Sequence, residues 1–232
     1  MASAGLGAGS LALSGCGSMM VNATEAEVRF VDTSVDAPAL DIYVNGAGAA
    51  YNLGYATFTS YVPLGAGNYQ FHANRASTGQ ALVSHKAALV SGHQYTVVVG
   101  NRLGDLQEHV YTDPPAVAVA GTLAVRVLNE VGNGPLDVYV VPNASSLATA
   151  APVVTSLGYG AGSAYVRLPT GGSNAVFAVP AGASPLSAGA LRVNGASISG
   201  ASGAARTLIL TESTAAVSKG LYGIVLDDSE TP

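Results

Sequence analysis

The sequence predicts an all-β protein built from two tandem antiparallel β-sandwiches, and three observations lead there. The first is strand-sized patterning: short runs of alternating apolar and polar residues, bounded by Gly and Asn turns, recur along most of the chain. The second is that the chain repeats itself. Val28-Arg29-Phe30-Val31, Pro38, Leu40-Asp41-Ile42-Tyr43-Val44, Leu53-Gly54-Tyr55 and Tyr61-Val62-Pro63-Leu64 are answered by Val125-Arg126-Val127-Leu128, Pro135, Leu136-Asp137-Val138-Tyr139-Val140, Leu157-Gly158-Tyr159 and Tyr165-Val166-Arg167-Leu168. Matched residues lie roughly 97 positions apart at the start and roughly 104 further on, a period that fits a duplicated small domain and is too long for a solenoid. The third is composition: 49% hydrophobic, only 10% charged and without Trp, a profile that suits β-rich extracellular modules better than helical enzymes.

Taken in order, residues 1–26 read as a lipoprotein-type signal and tether. A charge-free stretch of Ala, Gly, Leu and Ser leads to Leu13-Ser14-Gly15-Cys16, which resembles the lipobox of bacterial lipoproteins. That resemblance implies lipidation of Cys16, the sole cysteine, and hence a membrane partner held through the lipid. A lone cysteine makes no intramolecular disulfide, so the fold must rest on packing. No stretch has the length of a membrane-spanning helix.

Residues 27–113 form the first predicted sandwich. Leu40, Ile42 and Val44 alternate with Asp41 and Tyr43, which predicts a strand with the aliphatic residues inward. Asn45-Gly46 follows, a strong hairpin signal, because both central residues of a type I′ turn need positive φ. Residues 82–90 and 95–99 read as a second hairpin across Ser91-Gly92-His93. Residues 114–120, which start with paired prolines, are the predicted linker, short enough to set the sandwiches end to end. Residues 121–230 repeat the design, with about eight extra residues between Val140 and Leu157 and longer Ala/Ser/Gly loops.

At these residues the chain resembles the bacterial family known as domain of unknown function 4397. Its pattern is V-R, a Pro, L-D-[IV]-Y-V, L-G-Y and Y-V-x-L. The first copy matches well through Asp36-Ala37-Pro38-Ala39-Leu40-Asp41, whereas the second has Gly132-Asn133-Gly134-Pro135 in that place. The resemblance implies immunoglobulin-like or transthyretin-like sandwiches outside the cytoplasm, in the periplasm or on the cell surface, and implies no reaction.

Candidate chemistry is sparse. Asp41 and Asp137 each precede a strand Tyr and suit either a sugar hydroxyl or cation on the outward face, or backbone N–H groups that fix a loop. Tyr43 and Tyr139 suit either stacking on a ligand or filling a core. These four residues form the candidate binding surface. The histidines, all in the first copy, lack metal-ligand spacing, no metal or cofactor is implied, and no G-x-S-x-G elbow occurs. The net charge of −5 and the lack of basic clusters argue against nucleic acid. The expectation is a non-enzymatic structural or binding module of the cell envelope that meets a glycan or an envelope protein. A glycan- or polymer-binding accessory protein is the alternative, and a hydrolase is the more distant one.

Overall fold

The computed structural model describes residues 24–186, 191–214 and 220–228. The leader, with Cys16 and its lipobox-like tetrapeptide, lies outside the described residues. In the first half the strands are β1 (Glu25–Asp32), β2 (Leu40–Val44), β3 (Ala47–Leu53), β4 (Val62–Gly65), β5 (Gly67–Arg75), β6 (Ala81–Leu89), β7 (Gln94–Gly100) and β8 (Gln107–Asp113). They make two four-stranded sheets, β4-β1-β7-β8 and β3-β2-β5-β6, closed over one core. Phe30, Leu40, Ile42, Phe71 and Val97 are all buried in it.

The second half repeats this plan with β9 (Thr122–Asn129), β10 (Leu136–Val141), β11 (Val154–Leu157), β12 (Ala161–Gly162), β13 (Val166–Pro169), β14 (Asn174–Pro180), β15 (Leu191–Ile198), β16 (Ala205–Glu212) and β17 (Leu221–Asp227). Strands β9, β16 and β17 stand where β1, β7 and β8 do, and β10, β14 and β15 where β2, β5 and β6 do. The register repeats too: Arg29 lies beside Thr96 on the parallel pair β1·β7, and Arg126 beside Thr207 on β9·β16.

One difference joins the second half into a single nine-stranded sheet, in which β15 pairs with β17 in parallel through Val193↔Leu221. The seam depends on Gly223, where a Cβ would run into Ala196, Leu208 and Val193. The register places Glu108 at the same point of the first half, opposite Val99 as Gly223 is opposite Leu210. The first half carries a side chain at that point, and there β6 and β8 do not pair, which leaves two separate sheets.

Two sequence expectations fail at the level of connections. Strands β6 and β7 are not a hairpin; β6 pairs with β5, while β7 enters the opposite sheet between β1 and β8. Strand β7 is buried on both faces, and such a strand takes a central, parallel-paired position. Nor do the halves sit end to end. Sheet β4-β1-β7-β8 lays its outer face on the corresponding face of the second half, burying Val31, Val98 and Tyr111 against Leu128, Ile209, Ile224 and Leu226. Those outward aliphatics on β1, β7, β9 and β16 leave an apolar face that must be covered.

Candidate functional site

Among the described residues, no element covers the outer face of sheet β3-β2-β5-β6. Strand β2 buries Leu40, Ile42 and Val44 and turns Asp41 and Tyr43 outward, as its alternation predicts. The Asn45-Gly46 turn has φ of 49° and 84°, and the chain returns as β3. There the register shifts twice, so β3 bulges and brings Tyr51 onto the outer face. Tyr51 is 66% exposed and meets Tyr43 edge to face, with ring centroids 6.2 Å apart and planes at 86°. Its ring lies over Gly48, where any Cβ would overlap it. In register across β2, β5 and β6 lie Tyr43, His72 and Ser84, with Gln70 and Lys86 in the next outward row.

Shallow depressions flank this row. One of about 380 Å³ is lined by Pro38, Asp41, Tyr51, Asn52 and Ala76. The other, of about 420 Å³, lies toward the hairpin turn and is lined by Asn45, Asn68, Gln70 and Lys86. Asp41 Oδ1 accepts the backbone N–H of Asn52, at the bulge, at 2.9 Å. No described residue hydrogen-bonds its other oxygen.

The same face of the second half is closed. The extra residues after β10 form a 3-10 turn (Ala144–Thr149), capped by Asn143 through the N–H of Ser146, and it packs Leu147 onto Tyr139, Phe177 and Val179. Of the four residues expected to share a surface, Asp41 and Tyr43 face outward and Asp137 and Tyr139 are buried. Tyr139 is 5% exposed and Asp137 7%. Both oxygens of Asp137 are committed, accepting from the N–H of Ser156 at 2.7 Å and of Gly182 at 2.8 Å. Its role is the loop-fixing one. The register equates His72 with Phe177 and Asn74 with Val179, so polar residues give way to apolar ones where the covering turn arrives.

The other ionisable clusters are internal. Between the halves, Arg29 Nη2 donates to Asp228 Oδ1 at 2.7 Å, and Arg126 Nη2 to Asp113 Oδ1 at 2.5 Å. Burial pushes the Tyr61 hydroxyl well above its usual range, as does the Asp113 carboxylate to which it donates. Nearby, buried Glu130 accepts from Tyr111 and meets His109 Nδ1 at 3.0 Å. That bond raises the imidazole pKa against the opposing effect of burial. No hydroxyl is bonded to the His109 ring among the described residues. His72, His85 and His93 lie elsewhere, and no group of three metal-ligating side chains occurs among the described residues.

Two buried acids stand apart. Asp32 is lifted to about 7 by burial, only partly offset by the Ser34 N–H that Oδ1 accepts. Glu108 is lifted to about 8 by burial, against a smaller pull from the His85 backbone. Sequence reading missed Arg29, Arg126, Asp113 and Asp228 as a set; the signal was an arginine inside an apolar run, repeated in both copies.

Fold and site together define a duplicated β-sandwich protein with one open polar-aromatic sheet face. Residues 26–139 match the model of the family described as Domain of unknown function (DUF4397). No curated protein matches it. Among solved structures it is similar to the crystal structure of CBMbc (family CBM26) from Eubacterium rectale Amy13K in complex with maltoheptaose, at 13% identity and a TM-score of 0.25, covering 90% of this chain and 98% of that one. At that score the likeness says nothing about ligand.

Proposed function

We propose that the protein is a non-enzymatic binding module of the cell envelope, two tandem immunoglobulin-like or transthyretin-like units, that holds an extended polysaccharide on the outer face of β3-β2-β5-β6. The observation that carries this reading is the contrast between copies: one fold presents the same face bare and polar in one half, capped and apolar in the other. A bare face on which exposed Tyr51 meets half-buried Tyr43 gives sugar rings an apolar platform. His72, Gln70 and the unengaged oxygen of Asp41 supply hydrogen bonds to hydroxyls around it. Depressions on both sides of the row suit a chain laid across the strands better than a compact ligand. Membrane attachment through lipidated Cys16 belongs to the same proposal, and places the module outside the cytoplasm.

Affinity electrophoresis against a panel of soluble polysaccharides tests it. Tyr51→Ala should weaken binding to the retained polymer by about tenfold or more, the equivalent of about 1.4 kcal/mol. Gly48→Ala should act similarly by displacing the Tyr51 ring while leaving the melting curve nearly unchanged. Retention of no polysaccharide, or variants that migrate like the parent, would remove the glycan reading.

A further inference from the structure

The contact between the halves is built twice over. Arg29 Nε donates to Thr96 Oγ1 at 2.9 Å, and Arg126 Nε to Thr207 Oγ1 at 2.6 Å. Thr96 in turn donates to Asp113 Oδ2 at 2.7 Å, and Thr207 to Asp228 Oδ2 at 2.5 Å. Tyr61 donates to Asp113 at 2.7 Å and lies under the Arg29 guanidinium at 4.7 Å. Tyr165 donates to Asp228 at 2.8 Å and lies under Arg126 at 5.9 Å. Each arginine then reaches across the interface to the carboxylate that the other half has positioned. Each of these links has its mate in the other half, and Arg29 alone also approaches Thr207 Oγ1 at 3.5 Å and Asp113 at 3.8 Å.

We infer that this contact is a homodimer interface carried inside one chain, and that the partner its face recognises is a second copy of the same fold. An isologous interface requires that residue i meet j and j meet i. Here Arg29 meets Asp228 while Arg126 meets Asp113, and Asp228 occupies in the second half the place of Asp113 in the first. One half therefore holds both the cation and the anion of a complete set. Two first halves would pair Arg29 of each with Asp113 of the other. The surrounding apolar residues correspond in the same way, Val31 with Leu128 and Val98 with Ile209.

The symmetry is broken at the margin, and the breaks favour the unlike pair. Glu130 bonds His109 and Tyr111 from the position that Thr33 holds in the first half. Glu212 bonds Arg102, and its backbone carbonyl accepts from Tyr55 at 2.6 Å. With a short connector setting an effective concentration in the millimolar range, the intramolecular pairing wins in the intact chain.

The test introduces a protease site into the exposed connector at Val117, so that the folded full chain is cut only after assembly. Native mass spectrometry of the cut protein should show mainly the first·second pair, with first·first as a minor species. In a variant carrying Arg126→Asp and Asp228→Arg, the unlike pair sets Arg against Arg and Asp against Asp, while both like pairs stay complementary. Cutting this variant should shift the population to first·first and second·second, reversing the ratio seen in the parent. The inference is overturned if the parent shows no first·first species at any concentration, or if the charge-reversed halves come apart as monomers.

Discussion

Asp32 and Asn129 occupy the same place in the two copies, and the comparison shows what one atom does. Each accepts an N–H two residues on through Oδ1, from Ser34 and Val131. Asn129 also donates from Nδ2 to the Leu157 carbonyl at 2.9 Å. A carboxylate has no such hydrogen, and Asp32 Oδ2 is buried without a partner. The folded state therefore keeps a proton on Asp32 up to about 7, whereas the unfolded chain releases it near 3.8. A raised acid pKa contributes stability that is complete below the unfolded value and is lost as pH rises through the folded one. Asp32→Asn should melt like the parent near pH 4 and be more stable near pH 8 by about 1–3 kcal/mol, the cost of an unsatisfied buried group. Equal melting of the two proteins at pH 8 would show that Asp32 finds a partner in solution. Glu108, raised by burial against the smaller pull of the His85 backbone, carries the same sign in a window ending near 8.

At the scale of the element, β2 and β10 nearly share a sequence and differ in surroundings. Leu40, Ile42 and Val44 point inward in one, Leu136 and Val138 in the other, and the sequence showed this because period-2 alternation admits a single register. The Asn45-Gly46 hairpin was legible for the same kind of local reason. The fate of Tyr139 was not, since Tyr43 and Tyr139 stand in nearly the same local sequence and are separated by distant residues, the turn carrying Leu147 together with Phe177 and Val179. Likewise, a Gly turn at residues 91–93 does not say whether the next strand stays in its sheet. Truncation should expose the difference: Ile42→Ala costs about 2–5 kcal/mol and Val138→Ala less. Tyr43→Ala should cost well under either, whereas Tyr139→Ala should cost about 3 kcal/mol, as for other buried aromatics. Urea melts of the four variants decide it, and equal losses at the two tyrosines would mean the covering turn does not bury Tyr139.

Across the whole molecule the two halves should act as one folding unit, because each buried arginine makes its shortest ion pair with a carboxylate of the other half. Arg126 is 2% exposed, and burial, which lowers its pKa, is outweighed by Asp113 and Asp228. Removing one partner of such a pair leaves an uncompensated charge and costs about 3–5 kcal/mol. Arg126→Ala should therefore lower the denaturant midpoint of both halves together, in one transition. Two separated transitions in the parent protein would contradict this coupling. The sequence showed the duplication but not this union. Asp113, followed by two prolines, looked like the end of a domain, and the arginine within Val125-Arg126-Val127 was legible only as part of the repeat.

The parallel pairing of β1 with β7 sets a schedule for the growing chain. Glu27 finds its neighbour only at Gln94, and Thr122–Asn129 must likewise wait for Ala205–Glu212. Strands β2, β3, β5 and β6 meet neighbours close in sequence, and their sheet is free to form while the ribosome is still adding β7. Synthesis at about 5–20 residues per second thus leaves β1, with its apolar faces and Arg29, without its parallel neighbour for several seconds. In that interval its protection falls to β4, the antiparallel neighbour that emerges earlier along Val62–Gly65. The strand that later joins the two halves is held first by a four-residue escort.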